Sequence, residues 1–192
     1  SSIVRQASTH CVVLPNMLAA MIGRSFAAGG AVARTMPTIA PAARVKMTEA
    51  GVPVVPGVNT CETTEDAIAA AKKIGFPVML KAASGGGGKG MRLVHSADEM
   101  ANAWERARSE AKKFFSDDTV YIEKAIIRPR HVEIQVMGDR DGNMVHVFER
   151  DCSIQRRNQK VVEETPTPAK QASREFIAKM GAIAVQGAKA VG

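Results

Sequence analysis

The hydrophobic pattern changes period several times along the chain. From Glu65 to Ile74 the apolar residues Ile68, Ala71 and Ile74 recur at helical spacing, with Thr63 or Thr64 placed to cap the helix and Gly75 to end it. A longer helical pattern covers about Ala97–Phe115 and sets Met100, Trp104, Ala107, Ala111 and Phe114 on one face. Ser96 before it, with Glu99 three residues on, reads as a capping box. Ser173–Val191 is a third amphipathic helix, and Ala42–Ala50 a short one stopped by Gly51.

The strands read differently. Pro77–Ala82 and Met91–His95 are short apolar runs, Val120–Lys124 is another, and Val52–Gly57 is extended and broken by prolines. His131–Gly138 and Met144–Glu149 alternate, and Asp141-Gly142-Asn143 supplies a turn between them. Alternation places His131, Glu133 and Gln135 on one face of their strand. Two helices and five mostly antiparallel strands over residues 63–160 predict an α+β unit with helices on one face of a sheet.

Composition adds less. The chain has 192 residues with 45% hydrophobic side chains but only 4% aromatic, so its core is aliphatic. No apolar run is long enough for a transmembrane helix. The net charge of +7 is uneven: residues 1–48 hold five basic and no acidic side chains. Without interleaved aromatics this is poor support for nucleic-acid binding. Three dispersed cysteines fit neither a zinc site nor a disulfide framework. Residues 1–40, rich in Ala, Ser, Arg and Met, form either an irregular segment or one like a mitochondrial transit peptide.

The most informative stretch is Lys81-Ala-Ala-Ser-Gly85-Gly86-Gly87-Gly88-Lys89-Gly90-Met91-Arg92. Four consecutive glycines let backbone N–H groups approach an anion, and Lys81 and Lys89 can each bring an ammonium to a phosphate. The spacing is not that of a Walker A loop, and the glycines join two strands rather than opening a helix. A strand–loop–strand of this composition suits a flap over nucleotide phosphates better than a flexible linker. Downstream, Tyr121-Ile-Glu123-Lys124 ends a strand, and Glu149–Lys160 passes from mixed charge to the basic Arg156, Arg157 and Lys160.

Taken together, Lys81–Arg92, Glu123-Lys124, Pro129–Glu133 and Glu149–Glu164 resemble, in order and spacing, the ATP-grasp lid, or B subdomain, of biotin carboxylases. The resemblance covers residues 41–192, with the lid at about 75–160 and the start of a carboxyl-terminal part at 161–192. It implies that Lys81 contacts ATP, that Gly85, Gly86, Gly87 and Gly88 with Lys89 and Met91 form the flap, and that Glu123, Lys124 and Ile126 sit at the adenine. His131 is implied at the ribose, and Gln155, Asn158 and Lys160 in the segment beside the ribose, the phosphates and the bicarbonate site, with Lys160 and Asn158 as catalytic residues. The family more often has His where Asn158 stands; Asn is familiar among propionyl-CoA-type members.

The parent reaction implied uses ATP with Mg2+ or Mn2+ to activate bicarbonate and carboxylate biotin. Its partners are a biotin carboxyl carrier domain and a carboxyltransferase component, in an oligomer, with no nucleic acid or membrane. A further ATP-contacting lysine of the family falls at about Ala40. The metal-binding glutamates and asparagine of the family match no residue of this chain, so the chain reads as a fragment that is inactive alone. Alternatives are a non-catalytic nucleotide-binding module and another ATP-grasp ligase such as carbamoyl-phosphate synthetase. The expected compartment is the cytoplasm, or alternatively the mitochondrial matrix.

Overall fold

The structure, a computed structural model, describes residues 11–12, 39–85, 90–139, 141–157, 159–170 and 172–191. The expectation for residues 1–40 therefore falls almost wholly outside the described residues. The chain divides into two compact units. One, the loop unit, comprises Ala31–Arg44 and Val55–Ile127; the other, the hairpin unit, comprises Ser1–Gly30, Val45–Val54 and Arg128–Gly192. The range 75–160 expected for a lid is shared between them. No helix among the described residues is long and apolar enough to cross a membrane.

The loop unit is built on an antiparallel sheet of β2 (Gly57–Val58), β5 (Val120–Lys124), β3 (Val78–Ala82) and β4 (Met91–Val94), in that order. Alternation along β3 buries Val78, Leu80 and Ala82 on one face and leaves Met79 and Lys81 on the other. Helices α2 (Thr64–Ile74) and α3 (Ala97–Phe115) cover the apolar face. Their Ala67, Ala71, Met100, Trp104, Ala107 and Ala111 close a core with Val78, Leu80, Val94 and Ile122. Alanines on both helices keep them close to the sheet, and the large Trp104 fills the remaining volume. Removing a buried aromatic of this kind costs about 3–5 kcal/mol.

Thr63 caps α2 through a full capping box: its hydroxyl accepts from the Asp66 N–H at 3.1 Å, and the Asp66 carboxylate accepts from the Thr63 N–H at 3.2 Å. The box expected at Ser96 does not form. Ser96 occupies the cap of α3 without a side-chain bond, and the Glu99 carboxylate accepts from the His95 N–H instead. Phe114, expected on the buried face of α3, is 68% exposed, whereas Phe115 packs on the core. Phe115 lies one turn beyond Ala111 and continues the buried stripe; Phe114 has rotated off it.

In the hairpin unit β6 (Arg130–Gly138) pairs antiparallel with β7 (Met144–Asp151), and β1 (Cys11–Val12) pairs parallel with the start of β6. Helix α4 (Arg174–Val191) lies on this sheet, where Ile177 and Met180 meet Val132 and Ile134. Ser173 starts α4 by accepting the Phe176 N–H on its hydroxyl. The register slips between Ile134 and Val136, where Val147 and Phe148 bulge opposite Gln135, with Phe148 at φ 54°. The bulge resets the phase of β7, so Arg150 lies directly opposite Glu133. A further hairpin, β8 (Gln155–Arg156) with β9 (Gln159–Lys160), was not legible as strands because none of its residues is apolar. Helix α1 (Ile39–Glu49) begins three residues earlier than its pattern suggests, with Pro41 in the first turn, where a missing N–H costs nothing.

Candidate functional site

The expected site residues are distributed over both units, and each set has its own geometry. In the loop unit, β3 and β4 flank the glycine loop as the sequence implied, with Lys81 opposite Met91. The described stem is closely tied. Ala82 N–H donates to Gly90 O at 2.8 Å, Gly85 N–H to Ala82 O at 3.0 Å, and Ala83 N–H to Thr119 O at 2.9 Å. Ser84 donates its hydroxyl to Asp117 at 2.7 Å. Gly90 has φ 73°, and a Cβ on it would stand 2.7 Å from the Ala82 Cβ, so the loop closes here only on glycine. Gly86, Gly87, Gly88 and Lys89 lie outside the described residues.

Lys81 leaves the polar face of β3 and donates to Glu123 Oε2; its ammonium also stands 5.9 Å from the centre of the Tyr121 ring. Glu123 is 3% exposed, and its second oxygen accepts from Arg44 Nη1 at 2.6 Å. Arg44, on α1, donates in turn from Nε to the Asn59 side chain at 3.0 Å. Burial raises the Tyr121 hydroxyl pKa, so it stays protonated. Lys124 turns away from this group: its ammonium is bound by the carbonyls of Gly75 at 2.8 Å and Phe76 at 2.9 Å. Ile126 is half-buried two residues beyond the strand. The Glu123 and Lys124 side chains are therefore both engaged within the protein.

In the hairpin unit the structure brings His131, Gln155 and Lys160 together around a residue outside the expected set, Glu133. Glu133 is 3% exposed. Its Oε1 accepts from Arg150 Nε at 2.8 Å and Nη2 at 2.6 Å, and its Oε2 accepts from Lys160 Nζ. Arg150 also donates to Gln135 at 2.9 Å. Burial works to raise the Glu133 pKa, but the hydrogen bonds from Lys160 and Arg150 outweigh it and hold the carboxyl below its ordinary range.

Gln155 donates its amide N–H to the Cys152 carbonyl at 2.8 Å and faces His131 Nδ1. That arrangement makes Nδ1 an acceptor and leaves the proton on Nε2, which is buried, unpartnered and 3.8 Å from Glu133. Burial lowers the imidazole pKa, opposed by Glu133 and reinforced by Lys160. Asn158 lies outside the described residues. Glu133 and Arg150 could have been singled out from the alternation of β6 and β7, but only the bulge sets them opposite one another.

Glu133, Cys152 and Glu163 hold their donor atoms within 4.8 Å of one another. Burial raises the Cys152 thiol to about 11, and a thiol is a poor ligand for magnesium. Lys160 and Arg150 already take the Glu133 oxygens, so this set does not fit Mg2+.

A strand–loop–strand stem with a lysine at its base, and a second basic and acidic cluster on a bulged hairpin, suit an ATP-grasp type of nucleotide-binding protein. Residues 41–192 match the family described as carbamoyl-phosphate synthase L chain, ATP binding domain, and the chain belongs to it. Among its relatives, the biotin carboxylase of Halalkalibacterium halodurans is 51% identical over 152 residues, 78% of this chain and 33% of its own length. The mitochondrial methylcrotonoyl-CoA carboxylase subunit alpha of Mus musculus is 53% identical over 76% of this chain and 20% of its own. The crystal structure of a biotin carboxylase–βγ-ATP complex from Campylobacter jejuni is similar with a TM-score of 0.75 and 46% identity, covering 79% of this chain and 34% of that one. That of the biotin carboxylase domain dimer of Hydrogenobacter thermophilus 2-oxoglutarate carboxylase, with MgADP, ADP and bicarbonate, gives 0.72 and 45%, covering 78% and 33%. The chain spans about a third of the length of the biotin carboxylases it matches.

Proposed function

We propose that this chain supplies the nucleotide-binding part of a biotin-dependent carboxylase. The observation that carries the reading is the placement of Lys81: its ammonium stands at the stem of the glycine loop, on the polar face of β3, held by a buried carboxylate. There it meets ATP phosphate oxygens as the glycine loop covers them. The resemblance assigns His131, Gln155 and Lys160, the cluster of the hairpin unit, to nucleotide and bicarbonate, and Glu133 orients Lys160 within that cluster. In the parent reaction bicarbonate oxygen attacks the γ-phosphorus and ADP leaves. The carboxyphosphate so formed gives its carboxyl group to biotin N1, and the N1 proton leaves with the released phosphate. A biotin carrier domain and a carboxyltransferase component are partners in the same reading.

Calorimetric titration of the chain with ATP tests it. Wild type binds, and Lys81→Ala weakens binding at least about tenfold, the loss of one charge-assisted contact to phosphate. Equal affinities for the two proteins would refute the assignment of this site.

A further inference from the structure

We infer that Arg44 sets the charge with which the nucleotide site meets an anionic ligand, by leaving the Lys81 ammonium uncancelled. The inference rests on the reading of Lys81 as a phosphate ligand and adds a residue, outside the expected site set, to that site.

Glu123 carries one negative charge and has two cationic partners, Arg44 on one carboxylate oxygen and Lys81 on the other. The three side chains together carry one positive charge. The side chains of Arg44 and Glu123 are buried and that of Lys81 is 18% exposed, so the open corner of the triad is the ammonium. With Lys81 and Glu123 alone the pair would be neutral, and the buried carboxylate would offset much of the attraction that the ammonium offers a phosphate. A buried pair with no excess charge has little attraction for an anion. The second cation neutralises Glu123 from behind. Glu123 then positions the ammonium while the net field towards the loop stem stays positive.

The local structure is built to hold Arg44 there. Its guanidinium is fixed by Asn59 at 3.0 Å and by Glu123 at 2.6 Å. Strand β2 passes it at Gly57, where a Cβ would stand 3.0 Å from Arg44 Nη2 and collide with the Ile122 carbonyl oxygen. A side chain at 57 would therefore displace either the guanidinium or the strand.

Charge and packing make opposite forecasts for a double variant. Arg44→Met leaves the triad neutral and should weaken ATP binding about tenfold, with adenosine binding little changed. Arg44→Met combined with Glu123→Gln restores one positive charge, on Lys81 alone, although it removes two polar groups. It should recover most of the ATP affinity. Arg44→Lys, which keeps the charge without the fork, should stay near wild type. Circular dichroism on each variant confirms that the folded state compared is the same. The inference is overturned if Arg44→Met binds ATP like wild type, if it loses adenosine equally, or if the double variant remains as weak as Arg44→Met. If Lys81→Ala itself leaves ATP binding intact, it is the underlying reading of the site that fails.

Discussion

Glu133 shows how a single residue organises the polar cluster of the hairpin unit. It is a buried carboxylate with three hydrogen bonds from two cations, and it holds Lys160 in place at the surface of the β8–β9 hairpin. Replacing it with Gln removes the charge that both cations are arranged around. Glu133→Gln should destabilise the hairpin unit by about 1–3 kcal/mol near neutrality, the cost of leaving charged donors poorly paired. The pH dependence follows from the direction of its pKa. The folded-state value lies below the ordinary glutamate range, so the stabilisation is present above that range and is lost as the pH falls through the lower folded value. Urea unfolding at neutral and acid pH checks this: wild type should lose more stability on acidification than Glu133→Gln. Identical acid sensitivity of the two proteins would contradict the role assigned to the carboxylate. The sequence put Glu133 on the face of His131 but did not mark it as the partner of Lys160 and Arg150, because alternation assigns a face and not a neighbour. Arg150 and Glu133 are 17 residues apart and meet only across a bulge.

Elements were legible where a periodic pattern ran long enough. Helix α3 has the boundaries its pattern gave, Ala97–Phe115, and β5 those of Val120–Lys124. Three features escaped. The β8–β9 hairpin has no apolar residue to report it. Strand β7 runs on to Asp151 because its last acids are buried yet bonded: Glu149 accepts the Thr167 N–H at 3.1 Å, and Asp151 accepts the Thr167 hydroxyl at 2.7 Å and Arg130 at 2.9 Å. The pairing of β2 with β5 depends on close approach at Gly57, which no pattern of hydrophobicity encodes. At this scale Gly57→Ala is the informative change. A methyl group there meets the rigid Ile122 carbonyl, so relief requires β2 to move away from β5. The expected cost is about 1–3 kcal/mol, typical of overpacking. Hydrogen exchange should show the Lys124 amide, which donates to Pro56 O at 2.8 Å, losing protection ahead of the β3–β4 amides. Uniform loss across the sheet, or none, would contradict it.

At the scale of the molecule, each unit closes its own apolar core. Among the described residues that of the loop unit is the larger, with twelve buried members including Trp104, whereas the hairpin unit gathers Val132, Ile134, Ile177 and Met180. A small core is sensitive to each side chain in it, because little else remains to offset the conformational entropy of the strands and helix it joins. Ile177→Ala should therefore cost about 2–5 kcal/mol, a large share of what such a core supplies. The chain carries a single tryptophan, and it lies in the loop unit, 1% exposed. Its fluorescence thus reports that unit alone, while far-ultraviolet circular dichroism reports both. In a urea titration of Ile177→Ala the dichroism should lose an early fraction belonging to β6, β7 and α4, and the Trp104 transition should keep its wild-type midpoint. A Trp104 midpoint that falls as far as the early dichroism transition would mean that the two cores unfold as one. Separate transitions would mean that the stem of the glycine loop, with Lys81 and the Arg44–Glu123 pair behind it, stays folded after the Glu133 cluster is lost.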